Sequence, residues 1–186
     1  MTGSGVLWGA AIAGLMCMTM SPGCSRALNR AEIGTAESSV DLPGVNNLSR
    51  DGSFYFSGQP SRETLDAAAG RGVRVVVNLR SGDEMQSGVD FDEAATAQAL
   101  GMRYVSIPIT PTSFGAADAD RLHEVLQSTP DPVLIHCATS NRTGALWAMY
   151  LNRHRGLSID DALERGRHAG LRSEQLADTV RREARR

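Results

Sequence analysis

The sequence predicts an α/β domain of three layers, a mainly parallel central sheet of about four strands flanked by helices, and three observations predict it. Short aliphatic and β-branched runs at Val73–Leu79, Met102–Ile109 and Val133–Ile135 have the character of strands buried on both faces. The stretches between them carry helix starts and stops. Finally, Val133-Leu-Ile-His-Cys-Ala-Thr-Ser-Asn-Arg-Thr-Gly144 passes from strand to short polar loop to apolar helix. That is how a ligand loop is built at the carboxyl edge of an open sheet.

The elements follow in order. Leu48 to Ser57 alternates around Asp51-Gly52 and predicts a small hairpin, with Phe54, Tyr55 and Phe56 giving aromatic bulk. Ser61 caps a helix from Arg62 to about Ala69 that Gly70 and Gly72 end. The strand Val73–Leu79 leads to Asn78 and Arg80 at its carboxyl end, where Arg80 either contacts an anion or pairs with Asp83 or Glu84 of a charged loop. Asp90 to Glu93 reads as a capping box for a helix through Leu100, stopped by Gly101. After the strand Met102–Ile109, Asp118 and Asp120 fit the cap and first turn of a helix from Ala119 to Gln127. Pro130 and Pro132 bracket the return to strand Val133–Ile135. Ala145–Leu151 is then an apolar helix behind the loop, and Ser158 and Ser173 start the last two helices. His168, at a helix end before Gly170, reads as structural.

At 186 residues and 41% hydrophobic content there is room for one ordinary core plus an extension. The boundaries read as a signal segment over 1–23, a tether over 24–44 and the folded domain over 45–186. Val6–Met20 is apolar but short for a membrane span, and Gly23-Cys24 behind it resembles the cleavage site of a bacterial lipoprotein signal. That resemblance implies an exported chain, periplasmic or held at the membrane by a lipid on Cys24. Ser21 stands where an aliphatic residue is usual and the first five residues carry no Lys or Arg, so ordinary secretory cleavage or a retained anchor stay open. A net charge of −2 gives no reason to expect nucleic acid as a partner, and the Arg181, Arg182, Arg185, Arg186 tail fits a helix C-terminus. The chain reads as a monomer. Four scattered histidines and a single cysteine in the domain make no metal site, and nothing calls for a cofactor.

The loop carries the chemistry. Backbone N–H groups of Ala138, Thr139, Ser140, Asn141 and Arg142, the helix N-terminus near Thr143 and the Arg142 guanidinium would together hold a phosphate-sized oxyanion. The same field would lower the Cys137 thiol from an ordinary value of about 8.5 and make it a nucleophile. His136-Cys137 with Arg142-Thr143-Gly144 resembles the signature of cysteine-dependent tyrosine and dual-specificity phosphatases. That family places five residues between Cys and Arg; here there are four, the rhodanese loop length, and Ser140 stands where Gly is usual. The chain is most similar to the bacterial dual-specificity-phosphatase-like family, which includes the phosphatase-like domain of beta-lactamase-hydrolase-like proteins. Ser57-Gly-Gln-Pro-Ser61 and Gly72-Val-Arg-Val-Val-Val-Asn-Leu-Arg80 extend that resemblance over most of residues 46–175.

The resemblance implies a phosphatase-like fold and hydrolysis of phosphate monoesters, on a small molecule or a protein, through a cysteinyl-phosphate on Cys137. It also implies that Arg142 holds the oxyanion, that His136 tunes the thiolate and that Thr143 donates to the sulfur. The family's general-acid Asp follows an Ile-Pro-Ile-like sequence, but Ile107-Pro108-Ile109 is followed by Thr110, leaving Asp118 and Asp120 as the candidate acids. Without an acid, turnover should be limited to activated aryl esters. Two alternatives stay open: sulfur transfer through a Cys137 persulfide fed by a sulfur donor, and a catalytically weak anion-binding module.

Overall fold

The computed structural model describes residues 1–2, 42–110, 112–129 and 132–184. The signal segment beyond residue 2, Cys24 and the tether up to residue 41 lie outside the described residues, as do Arg185 and Arg186. The chain runs β1 (Ser49–Asp51), β2 (Phe54–Ser57), α1 (Arg62–Gly70), β3 (Val75–Asn78), α2 (Gly82–Gly88), α3 (Glu93–Ala99), β4 (Arg103–Ser106), α4 (Ala116–Gln127), β5 (Val133–His136), α5 (Asn141–Arg155), α6 (Ile159–His168) and α7 (Glu174–Glu183).

The sheet has five strands in the order β1-β2-β5-β3-β4, parallel except for the antiparallel edge strand β1. One strand more than expected is present because the hairpin is no separate unit; β2 pairs in parallel with β5. Ser57, His136, Asn78 and Ser106 stand in register across the four parallel strands, so their carboxyl ends form one edge.

Alternation along the strands builds two cores. Phe56, Val75, Val77, Val133 and Ile135 face the α4–α7 side, and Tyr55, Val76 and Leu134 face α1 and α3, where Leu42 is already buried. Helix α5 fills the larger core, with every residue from Thr143 to Leu151 buried. It can lie that close to α6 because Gly144 has no side chain; a Cβ there would collide with the Gly166 carbonyl oxygen and the Leu171 nitrogen. Trp147 packs on Phe54 and Phe56 at 4.7 and 5.0 Å and donates its indole N–H to buried Asp51 at 3.2 Å. Arg165 of α6 also reaches Asp51, at 3.1 Å, so the hairpin turn is tied to both helices. Among the described residues no helix is long and apolar enough to cross a membrane.

Three local expectations fail. Asp92, not Asp90, caps α3, accepting from the Ala95 N–H at 2.9 Å. Glu93 is no part of a box; it turns inward to buried partners that an exposed cap could not offer. Helix α2 occupies what reads as a charged loop. It buries no residue and so has no apolar period to find, but Ser81 and Glu84 form a capping box that starts it. Helix α4 also begins three residues early, at Ala116, with Asp118 accepting from the Gly115 N–H.

Candidate active site

Strand β5 delivers Cys137 to the middle of the sheet's carboxyl edge, between β2 and β3. The chain then has to turn within three residues into α5. Ser140 makes the turn in the left-handed region, φ 67°, which costs an L-residue roughly 1–2 kcal/mol. Its buried hydroxyl offsets this by donating to the Ala169 carbonyl at 2.8 Å, and Gly170 leaves room, since a Cβ there would sit 2.5 Å from Ser140 Oγ. Asn141 starts α5 and accepts the Arg172 and Ser173 N–H groups at 2.7 and 3.0 Å. Its side chain fastens the loop before α7.

Outward-facing carbonyls set the loop's polarity. Ala138 O accepts from the Gln59 N–H, and Thr139 O accepts from Asn47 and Arg172, each at 3.3 Å. Ser140 spends its hydroxyl elsewhere and gives α5 no side-chain cap. The Cys137 sulfur takes that place. Burial pushes the thiol up, but the Thr139 N–H, the Thr143 N–H and hydroxyl and the Arg142 N–H outweigh it and hold the thiol below its ordinary value. Among the described residues the buried Thr143 hydroxyl has no oxygen or nitrogen partner.

Arg142 is held end-on. Its Nη1 and Nη2 donate to Glu84 Oε2 and Oε1 at 2.8 and 2.7 Å, and Nη1 also donates to the Ile109 carbonyl at 2.9 Å. A guanidinium has five N–H bonds, so among the described residues Nε–H and one Nη2–H are left for its side edge, the spacing that matches two oxygens of one oxyanion, with the Cys137 sulfur in hydrogen-bonding reach of the same side chain. The hydrogen bond from Arg142 lowers the Glu84 carboxyl to about 2 against the opposing effect of burial, and the Ser81 N–H and the Arg80 charge help. Glu84 is not among the candidates from sequence, although Ser81-Gly-Asp-Glu84 spells its capping box.

Arg80 does not line the cleft. It is buried behind α2, donating to Gln59 Oε1 at 2.6 Å and to the Glu84 carbonyl at 2.7 Å, and so fixes the segment that carries Glu84. Gln59 in turn donates to Glu93 Oε2 at 3.3 Å. His136, fully buried, has Nε2 2.9 Å from Glu93 Oε1, an ion-pair distance poorly aligned for a linear hydrogen bond.

Neither candidate acid reaches the site. Asp118 is raised by burial, but its Oδ2 is engaged with the Gly115 N–H at the start of α4. Asp120 is held by Arg153 at 2.6 Å and His154 at 2.8 Å on the outer side of α4 and α5. The cleft over the loop is lined by Ser81, Glu84, Thr110, Thr139, Asn141, Arg142, Ser173, Gln175 and Leu176, and Glu84 is its one carboxylate among the described residues.

Residues 50–152, more than half of the chain, match the family described as beta-lactamase hydrolase-like protein, phosphatase-like domain. The chain belongs to this family. A beta-lactamase hydrolase-like protein of Xylella fastidiosa (strain Temecula1 / ATCC 700964) is 36% identical over 96 residues, 50% of this chain and 22% of the relative. The match thus spans about a fifth of the curated relative's length. The structure of TpbA from P. aeruginosa is similar with a TM-score of 0.63 and 26% identity, over 82% of this chain and 92% of that one. A cysteine-to-serine variant of TpbA in complex with pTyr gives 0.62 and 25%, over 84% and 91%. A DUF442 protein from Shewanella putrefaciens CN-32 shares the fold, with a TM-score of 0.58 at 20% identity over 76% and 96%. The fold is therefore of the tyrosine-phosphatase type.

The Glu84–Arg142 pair makes a pH-dependent prediction. A carboxyl at about 2 when folded and near its ordinary 4.5 when unfolded favours the folded state above about pH 4.5, and that contribution is lost as pH falls toward 2. Glu84→Gln should lower the urea midpoint at pH 7, with the gap to the parent chain closing toward pH 2. A gap constant from pH 7 to pH 2 would contradict this.

Proposed function

We propose that this domain is a cysteine-dependent phosphatase that hydrolyses phosphate monoesters through a cysteinyl-phosphate. One observation carries the reading: the Cys137 sulfur, its thiol held below the ordinary value by the N–H groups at the start of α5, shares one loop with Arg142, whose guanidinium Glu84 grips from its end. The thiolate attacks phosphorus, an S–P bond forms as the P–O bond to the leaving group breaks, and the equatorial oxygens rest on Arg142 and the loop N–H groups. Water then attacks phosphorus, phosphate departs and the thiolate returns to the N–H groups that held it. Likeness to the TpbA–pTyr complex supports an aryl phosphate as substrate.

Sulfur transfer is a second reading, favoured by the four-residue loop whose donors converge on the sulfur itself. There Cys137 would take the outer sulfur of thiosulfate, releasing sulfite, and keep it as a persulfide. Parallel assays separate the two chemistries: phosphate release from aryl phosphates against sulfite release from thiosulfate.

For the phosphatase, the one carboxylate lining the cleft among the described residues is tied to Arg142 and holds no proton at neutral pH. Leaving groups must then depart unprotonated, so kcat/KM should fall steeply as leaving-group basicity rises, and alkyl phosphates should lose the ~10²–10⁴-fold that a general acid supplies. Cys137→Ser should show no turnover, and Arg142→Lys a kcat/KM about 10²–10³-fold lower, since a point charge cannot replace the fork. A flat dependence on leaving group would contradict the acid-free cleft; full activity in Cys137→Ser would eliminate covalent catalysis.

We further propose that the chain is exported and anchored by a lipid on Cys24, a reading supported by the apolar run before Gly23-Cys24. Fatty-acid labelling in a bacterial host should mark the parent chain and not Cys24→Ala; an unlabelled parent chain would overturn it.

A further inference from the structure

Glu93 opens α3 far from the cleft's lining, yet its carboxylate is turned into the sheet with 1% of the side chain exposed. Burying a carboxylate costs several kcal/mol unless its oxygens are satisfied and its charge is answered. Tyr104 and Gln59 each donate to Oε2 at 3.3 Å. Oε1 faces His136 Nε2 at 2.9 Å, and no Lys or Arg lies within ion-pair distance of Glu93 among the described residues. The next charge, Arg80, is one residue removed, behind Gln59. The answering group is therefore His136, the residue that immediately precedes the nucleophile. Neither ring nitrogen nor Glu93 Oε1 makes an aligned hydrogen bond among the described residues, so the 2.9 Å approach of Nε2 to Glu93 is the polar contact that places the ring.

We propose that Glu93 is a positioning residue for the nucleophile, its buried carboxylate holding the His136 ring behind Cys137 with a proton on Nε2, so that the placed ring favours the thiolate. The proposal rests on Cys137 being a thiolate nucleophile. The groups that bear on it are Arg142 on the cleft side with Glu84 beyond it, His136 and Glu93 behind the loop, and Tyr104, Asp92 and Arg80 around Glu93.

The sign of the effect separates this role from a direct field. Taking away the Glu93 charge would, through space alone, make the thiolate easier to form; acting through His136, its loss makes the thiolate harder to form. The experiment uses the full chain and follows iodoacetamide alkylation against pH, read at the Cys137 peptide by mass spectrometry because Cys17 and Cys24 also react. The parent chain should alkylate with a midpoint below the ordinary thiol value of about 8.5. Glu93→Gln should raise that midpoint, slowing alkylation at slightly acidic pH by up to about tenfold for each pH unit that the midpoint moves. An unchanged or lowered midpoint in Glu93→Gln overturns the proposal. A parent midpoint at or above about 8.5 overturns the nucleophile reading, and the proposal with it. Ring ¹⁵N shifts of His136 in the parent chain give a check that needs no variant: a proton on Nε2 supports the proposal, and a bare Nε2 overturns it.

Discussion

A helix that begins without a side-chain cap leaves N–H groups in need of an acceptor, and in α5 that acceptor is the Cys137 sulfur. The arrangement stabilises the helix start and the thiolate together, because the N-terminal end of the dipole and the anion satisfy each other. Other features of the site follow from keeping that sulfur in place. Ser140 takes a left-handed turn to bring α5 under it, Gly144 lets α5 sink against α6, and Asn47, Gln59 and Arg172 hold the loop carbonyls away.

Arg142 poses a separate problem: a long cation at the rim of an oxyanion loop would otherwise be free to adopt many rotamers. The Glu84 carboxylate and the Ile109 carbonyl remove that freedom from the guanidinium's end and leave its side edge exposed. The same carboxylate closes the capping box of α2, and Arg80 grips that helix from behind through the Glu84 carbonyl. Helix formation at α2 and preorganisation of Arg142 are thus one event, which reduces the reorganisation left for substrate binding.

Much of this is legible in the sequence where local rules decide. The β-branched run ending in Asn78, the Ser61, Ser158 and Ser173 caps and the strand–loop–helix layout around Cys137 each rest on nearest neighbours or on a period, and the structure places those elements within a few residues of expectation. What escapes depends on contacts distant in the chain. Glu84 meets Arg142 across 58 residues, and Glu93 meets His136 across the sheet, so each passes for a surface acid or a cap when read alone. Arg80 has the right sign and the right edge of the sheet, yet Gln59 and the Glu84 carbonyl engage its two terminal nitrogens and hold it behind α2. Ser140 takes the left-handed turn although it is no glycine, because its hydroxyl meets the Ala169 carbonyl near the end of α6.

The mechanism stands on the sulfur of Cys137 being the atom that takes up phosphorus. Rapid acid quench of the parent chain turning over an aryl phosphate, followed by peptide mass spectrometry, tests this most directly. The mechanism predicts a phosphoryl group on the Cys137 peptide that forms before phosphate appears and decays as it does. Phosphate release with no label on Cys137, or a label on another residue, would contradict it.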